Sequence, residues 1–567
     1  MDEQGSPSDP PPSVGGMPLP PRETPPFPYE PTPAAYEPVA SPARASRVRV
    51  TALVVAVLLV LTGAGTALLL RASNSEQSVD KLIPESVAAY VKFSLHPSMQ
   101  QQQAVQDLLS RFPASVRGQV GTKIDDALES ALKDLGISYK NDVKPWVGGQ
   151  IALAVLTPGG TTSDAPSTTP NVIGVLPVKD ASAAQKALSK IKAGPNVPAY
   201  EVMGGVVYLG KTQGDIDTFR NAVTAGHTLA DNASYKREHD RAGGDGLLFA
   251  YADLSKLAGV APSLRGDILG GSALTGGTGV VAAALRAEPE GLVLKAHSSV
   301  PTSAKSPKGG TFKLLPQTPD DLLGSVSFFD LGDLVGNLLK ALSGGFGISP
   351  ASINGQQVPG LPEVASALQQ FEQALGLNLQ KDLLPWLRGE FSVVVGPVTT
   401  PPIPDIGILI EPTDQAALGR TMSALRTHLG RLVSSLGGKV TTESNGLTIR
   451  IPQGPAIVVR TAPGRVIIAT EAYANRLLHA SGSTLAGDTV YKSAVDPSKP
   501  TAFQLFVRLD RVRILAEGFL KLSNPSRYSE YETKIQPLLK PLQALGIQTT
   551  ISGSDQEFDL IITIAKP

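Results

Sequence analysis

Two stretches of 26 residues, 131–156 and 371–396, lie over one another without a gap, and each holds one of the chain's two tryptophans. The first reads ALKDLGISYKNDVKPWVGGQIALAVL and the second FEQALGLNLQKDLLPWLRGEFSVVVG. They share Leu135/Leu375, Gly136/Gly376, Asp142/Asp382, Pro145/Pro385, Trp146/Trp386, Gly149/Gly389 and Val155/Val395. Identity at the rarest residue type points to an internal duplication, which constrains the fold before any local propensity is considered. Further pieces repeat in the same order. VIGVLPVKDASAAQKAL (172–188) answers DIGILIEPTDQAALGRTM (405–422), and LADNASYK (229–236) answers LAGDTVYK (485–492). LLFAYADLSKL (247–257) answers QLFVRLDRVRIL (504–515).

Each half reads alike. An opening strand (AAYVKF; GSVSFF) precedes helices whose last member carries Ile124, Ala127, Leu128, Ala131 and Leu135, or Val364, Leu368, Phe371 and Leu375, at helical spacing. Gly136 and Gly376 suit the left-handed residue that closes a helix. Strand pairs follow, GQIALAV with NVIGVLP and GEFSVVV with DIGILIE. A helix, short strands, another helix and closing strands (GLVLKAHS; FDLIITIA) complete each half. Hairpins interspersed with helices predict an α+β fold of tandem duplicated subdomains, with antiparallel sheets and packed amphipathic helices. In Asp-x-x-Pro-Trp, the aspartate is expected to cap a short helical turn and the indole to anchor the core beneath the next strand.

DVKPWVGGQIALAV (142–155) and DLLPWLRGEFSVVV (382–395) resemble the D-x-x-P-W-x-G-G/D-x-x-A-V-A-V pattern of an actinobacterial membrane-anchored family, domain of unknown function 3352. LIPESVAAYVKFSLHPSMQQQQAVQDLLSRFP (82–113) looks like that family's start. Ser94 and His96 stand where the family usually has acids. The resemblance covers nearly all of 80–567 and implies topology and location, without an activity.

Residues 50–70, VTALVVAVLLVLTGAGTALLL, form an uncharged run of 21 between Arg49 and Arg71. As a helix it would cross the ~30 Å hydrocarbon core, and it exceeds the ~7–15 residues of a signal-peptide apolar region. Cleavage near Ala64–Ala67 is the alternative, but Leu68–Leu70 continue the run. Arg44, Arg47 and Arg49 precede it, against Arg71 alone after it, which predicts a cytoplasmic N-terminus and an extracytoplasmic remainder in the cell envelope. Residues 1–43 hold 14 of the 48 prolines and predict a disordered tail, with Tyr29 or Tyr36 available to a cytoplasmic partner. The expected organisation is a tail (1–48), a transmembrane helix (49–71), a juxtamembrane linker (72–80), repeat 1 (81–300), a linker (301–311) and repeat 2 (312–567).

With 50 basic and 50 acidic side chains, global charge gives no argument for nucleic acid. The absence of cysteine excludes disulfides, thiol catalysis and cysteine-ligated metal sites. GGVVYLGKT (204–212) fits G-x-x-x-x-G-K-[ST], but Val206, Val207, Tyr208 and Leu209 read as a strand where a phosphate-binding loop must be flexible, so no nucleotide is expected. His96, His227, His239, His297, His428 and His479 are scattered, and no metal is expected. REHD (237–240) reads as a solvated loop, and Asn232-Ala233-Ser234 fits a glycosylation acceptor, a reading discounted in a bacterial-looking sequence. No catalytic, cofactor or metal residue is assigned. The expectation is a noncatalytic envelope protein that scaffolds or binds a partner; the alternatives are a carrier for lipid or another apolar ligand, and an enzyme whose site is hidden in sequence.

Overall fold

The computed structural model describes residues 78–114, 138–156, 171–191, 199–260, 279–299, 309–333, 372–399, 403–452, 454–479 and 482–566, with a few isolated positions between them. The proline-rich tail, the apolar run 50–70, Gly136 and most of the helix before each tryptophan lie outside these residues. No helix among the described residues is long and apolar enough to cross a membrane.

Repeat 1 opens with a helical turn, Val79–Leu82, followed by β1 (Ala89–Ser94), α1 (Met99–Ser110), a π turn (Tyr139–Val143), β2 (Gln150–Leu156) and β3 (Asn171–Pro177). Then come α2 (Ala181–Leu188), β4 (Ala199–Met203), β5 (Val206–Gly210), α3 (Gln213–Thr224), α4 (Ala233–Arg241), β6 (Leu248–Asp253), α5 (Leu254–Val260), β7 (Val280–Glu288) and β8 (Gly291–Ser299). Repeat 2 opens with Leu315–Gln317 and β9 (Gly324–Phe329), then a small separate hairpin, β10 (Ser352–Ile353) with β11 (Gln356–Gln357). A π turn (Leu379–Leu383), β12 (Glu390–Val395), β13 (Ile406–Ile410), α6 (Gln415–Ser435), β14 (Lys439–Glu443) and β15 (Gly446–Arg450) follow. Next are β16 (Ile457–Ala462), β17 (Arg465–Thr470), α7 (Glu471–Leu478), α8 (Thr489–Ala494) and β18 (Phe503–Val507). The chain closes with α9 (Leu509–Ser523), α10 (Pro525–Lys534), α11 (Gln536–Leu539), β19 (Leu542–Ser552) and β20 (Asp555–Ile564).

Among the described residues, all strand pairs are antiparallel. Repeat 1 orders its strands β4-β5-β3-β2-β1-β6-β7-β8. Repeat 2 gives β16-β17-β13-β12-β9-β18-β19-β20, the same order, with β14 and β15 added beyond β16. The strands form a single 18-stranded sheet instead of one sheet per subdomain, because β8 pairs with β20. In that pair Gly291 faces Thr563, Lys295 faces Asp559 and Ser299 faces Asp555. The hairpins make Gly291 equivalent to Asp555 and Ser299 equivalent to Thr563, so the contact is self-complementary about the Lys295–Asp559 pair, as in a twofold dimer.

Equivalent residues keep equivalent jobs. Pro84 bridges Thr228 and Pro319 bridges Thr484. Asn232 and Asp488 cap α4 and α8, accepting from the amides of Tyr235 and Tyr491. Asp180 and Asp414 cap α2 and α6. The visible LF–LF match between LLFAYADL and QLFVRLD is two residues out of step: the ladders align Leu248 with Phe503. Val79, placed with the juxtamembrane linker, and Asp80 are buried, so the folded body starts before residue 81.

The tryptophan motif is a core device in both halves. Trp146 and Trp386 are 2% and 4% exposed. Trp146 packs with Ala184 and Leu188 of α2 against Leu176 and Val207, and Trp386 packs with Leu418 and Met422 of α6 against Ile410 and Val466. The π turns are capped by Ser138 and Asn378, rather than by the aspartate. Asp142 and Asp382 instead reach back four residues to accept from the Ser138 and Asn378 amides, at 2.9 and 3.0 Å. Leu375-Gly376 ends a helical turn as expected: Gly376 has φ +59°, and the Leu377 amide donates to the Glu372 carbonyl.

Candidate functional site

Register sorts the central strands into two unlike faces. On one, Lys92, Phe249, Ala284, Lys295, Asp559, Gln548, Gln504, Ser327 and Ser392 follow one another across neighbouring strands. Along this row Lys92, Phe249, Ala284, Gln548, Gln504, Ser327 and Ser392 are buried, and Lys295 and Asp559 at the junction are half-buried. On the opposite face, Val91, Ala250, Ala283, Ala296, Phe558, Thr549, Phe503, Phe328 and Phe391 form one row. Leu285, Leu294, Leu560, Ile547, Leu505 and Val326 form the next. These apolar side chains are only half-buried, and Phe503 is exposed. A sheet ordinarily hides its apolar face. Here the covered face carries both this polar row and buried core residues such as Tyr90, Tyr251, Ala282 and Phe506, while the apolar rows of the other face stay half-buried.

The polar face is densest in repeat 1. Lys92 Nζ lies 2.9 Å from Asp80 Oδ2 and 2.6 Å from Asp245 Oδ1. The Tyr90 hydroxyl donates to Asp80 at 2.5 Å, and His239 Nε2 donates to Asp245 at 3.0 Å. Burial, reinforced by the Asp80 charge, holds the Tyr90 and Tyr235 phenols well above their ordinary range. Burial pulls Asp245 upward, but the His239 hydrogen bond and the Lys92 charge win and hold its carboxyl far below the usual range. The same hydrogen bond raises His239. Asp245, its side chain 51% exposed, opens this group to solvent. Repeat 2 has Leu315, Ser325 and Ser327 at the places of Asp80, Tyr90 and Lys92, so the network belongs to one half only.

A second group lies at the junction. REHD is helical, contrary to the loop expected: it sits in α4, and Glu238 is completely buried. Glu238 accepts from His297 Nδ1, from Ser299 Oγ at 2.6 Å and from Arg237 Nε at 2.9 Å. Burial opposes its ionisation, but these bonds outweigh it and lower its pKa. Arg241 donates to His297 Nε2 at 3.4 Å and to Asp555 of repeat 2 at 2.9 Å. Ser299 therefore bonds to the carboxylate and not to the imidazole, and His297 Nε2 faces an arginine, an arrangement that lacks a nucleophile–base pair. In repeat 2, Glu390 accepts from the amides of Leu314 and Leu315 at 2.8 and 2.7 Å, as Gln150 does from Val79 at 3.0 Å. Burial raises Glu390 against the pull of those amides.

The residues singled out by sequence stay apart. The GGVVYLGKT interior is strand β5, as expected, paired to β3 and β4. Gly204 and Gly205, with φ +60° and +77°, make the hairpin turn, and Thr212 caps α3 with Asp215 in a capping box. A Cβ on Gly210 would meet Ile216 Cγ1 at 2.9 Å. The glycines and the threonine thus each have a turn, packing or capping role. Among the described residues, no group of three or more His, Asp or Glu is placed to hold a metal ion. An open depression of about 550 Å³ beside α2, lined by Ala181, Ser182, Gln185, Lys186, Ser189 and Val202, gathers no cluster of charged groups. Sequence reasoning missed Lys92 and Asp80. In AYVKFS, alternation predicts Val91 and Phe93 inward and lysine outward, and only the acid twelve residues earlier hints otherwise.

The fold and its two faces define a duplicated α+β protein built on one antiparallel sheet. The chain belongs to the family described as "Protein of unknown function (DUF3352)", whose model matches residues 51–203 and 276–564. Comparison with curated proteins gives no match. Two solved structures, "Structure of crystal form III of TP0453" and "Structure of crystal form IV of TP0453", are each 10% identical with a TM-score of 0.21. They cover 43% and 42% of this chain, and it covers 76% of each of theirs. Similarity that low assigns neither fold nor function.

Proposed function

We propose that this is a noncatalytic envelope protein, anchored by residues 50–70 with its repeats outside the cytoplasm, that binds a long-chain apolar ligand on the central sheet. One observation carries the reading: the half-buried apolar rows around Leu285, Leu294, Leu560, Ile547 and Leu505, on the side of the sheet away from the packed core. Burying apolar area is worth ~25 cal/mol per Å², so a ligand spanning several of these side chains binds without any charged contact. The noncatalytic part is supported by the buried ionic groups, whose partners are other groups of the chain. Scaffolding of another envelope protein fits the same duplicated body.

The test is titration of the full chain, in detergent below its micelle concentration or in nanodiscs, with a dansylated fatty acid. Saturable fluorescence enhancement is expected. Leu294→Ser with Leu560→Ser should weaken it by roughly ten-fold, the effect of losing one to two kcal/mol of apolar burial. Lys295→Ala, on the opposite face, should leave it unchanged. No saturable binding by the wild type, or equal loss in the lysine variant, rejects the reading.

A further inference from the structure

In repeat 2 the chain leaves the sheet after β18 and returns at β19 through three helices, α9, α10 and α11, in which no residue is buried. Among the described residues, 16 large hydrophobic side chains are exposed, and seven belong to this short excursion: Val512, Ile514, Phe519, Leu522, Ile535, Leu538 and Leu539. Leu522 is 86% exposed. What holds the helices together is polar. Glu517 Oε1 accepts from Arg513 at 2.8 Å, from the Tyr531 hydroxyl at 3.0 Å and from Gln536 Nε2 at 3.1 Å. Arg511 fastens the base to the body through the carbonyls of Asp320 and Leu322. A polar cluster meets inside, and seven large apolar side chains face outward among charged ones such as Lys521, Arg527 and Lys534, an exposure unusual for a helical unit built for water.

We infer that α9–α11 form an arm that lies in the surface of the membrane, its apolar side chains among the lipid acyl chains. The inference rests on the anchoring reading above. If residues 50–70 span the bilayer, only residues 72–77 separate Arg71 from the folded body, at most about 20 Å of extended chain, so the body stays beside lipid. Residues 509–540 carry six arginines and lysines against four aspartates and glutamates, which suits anionic headgroups, and Tyr528 and Tyr531 suit the interfacial layer. A second copy of the chain would cover apolar area equally well, but it would gain nothing from that basic excess.

The chain has no cysteine, so one can be placed at will. Leu522→Cys, and Met203→Cys on β4 as an exposed control, are labelled with a polarity-sensitive fluorophore. The full chain is then reconstituted into phosphatidylcholine–phosphatidylglycerol vesicles containing nitroxide-labelled acyl chains. Quenching several-fold greater at 522 than at 203 is expected, falling to the control level when Ile514→Asp and Phe519→Asp are added. Alkaline carbonate extraction reads the anchor separately, and the arm variants should remain in the pellet with the wild type. Equal quenching at both sites in pelleted protein overturns the arm and leaves the anchor standing. Loss of the wild type from the pellet overturns the anchor, and the arm's placement with it. Shielding at 522 that grows with protein density, without quenching, assigns the surface to a second copy and also overturns the proposal.

Discussion

Removing the indole of Trp146 would open a hole between α2 and strands β3 and β5, and removing that of Trp386 would open the matching hole beneath α6. Each Trp→Ala variant should lose about 3–5 kcal/mol in urea unfolding, the usual cost for a large core aromatic. Comparable losses are expected in the two, and a cost below about 1 kcal/mol in either would show that its ring is not a core anchor. These positions were legible because tryptophan, the proline before it and the Leu-Gly helix end each carry a local signal. Lys92 was not. A buried lysine has no signature of its own, and its partners Asp80 and Asp245 lie 12 and 153 positions away in sequence.

Strand β5 and the start of α3 show how a phosphate-loop expression arises from ordinary folding needs. The tight hairpin requires glycine at positive φ, the packing of Ile216 and Ile173 on Gly210 requires no Cβ, and the helix start requires a capping threonine. Gly210→Val should cost about 1–3 kcal/mol through overpacking. Lys211→Ala, at an exposed position, should stay within about 0.5 kcal/mol. Thermal unfolding compares them, and the reverse order would contradict the packing account. β5 was readable from its β-branched run, whereas α4 was not. Its apolar stripe is almost reduced to Tyr235, and burial of Glu238 beneath the sheet face replaces the apolar periodicity by which helices are recognised.

At the scale of the whole molecule, the sequence shows two halves, but nothing local announces that their last strands pair. β8 and β20 end 265 residues apart, and their residues are half-buried on both sides of the junction. Leu560 sits in the ladder between Leu294 and Ile547. Proline there removes a ladder donor in a central strand. The wild type is expected to unfold in one urea transition, and Leu560→Pro in two, as the halves lose their common ladder. Two transitions already present in the wild type would mean that the junction does not couple the halves.

The self-complementary contact at Lys295 and Asp559 has a consequence for ancestry. A lone ancestral unit ending in such a strand would expose an open edge to a second identical unit, and its association would depend on cellular concentration. Joining two units in one polypeptide replaces that dependence with a fixed, high effective concentration. Once partner choice is secured by the covalent link, selection no longer has to keep the units interchangeable. One half can then specialise in the ionic network around Lys92 while the other carries an outward-facing helical excursion, a division of labour denied to a symmetric pair.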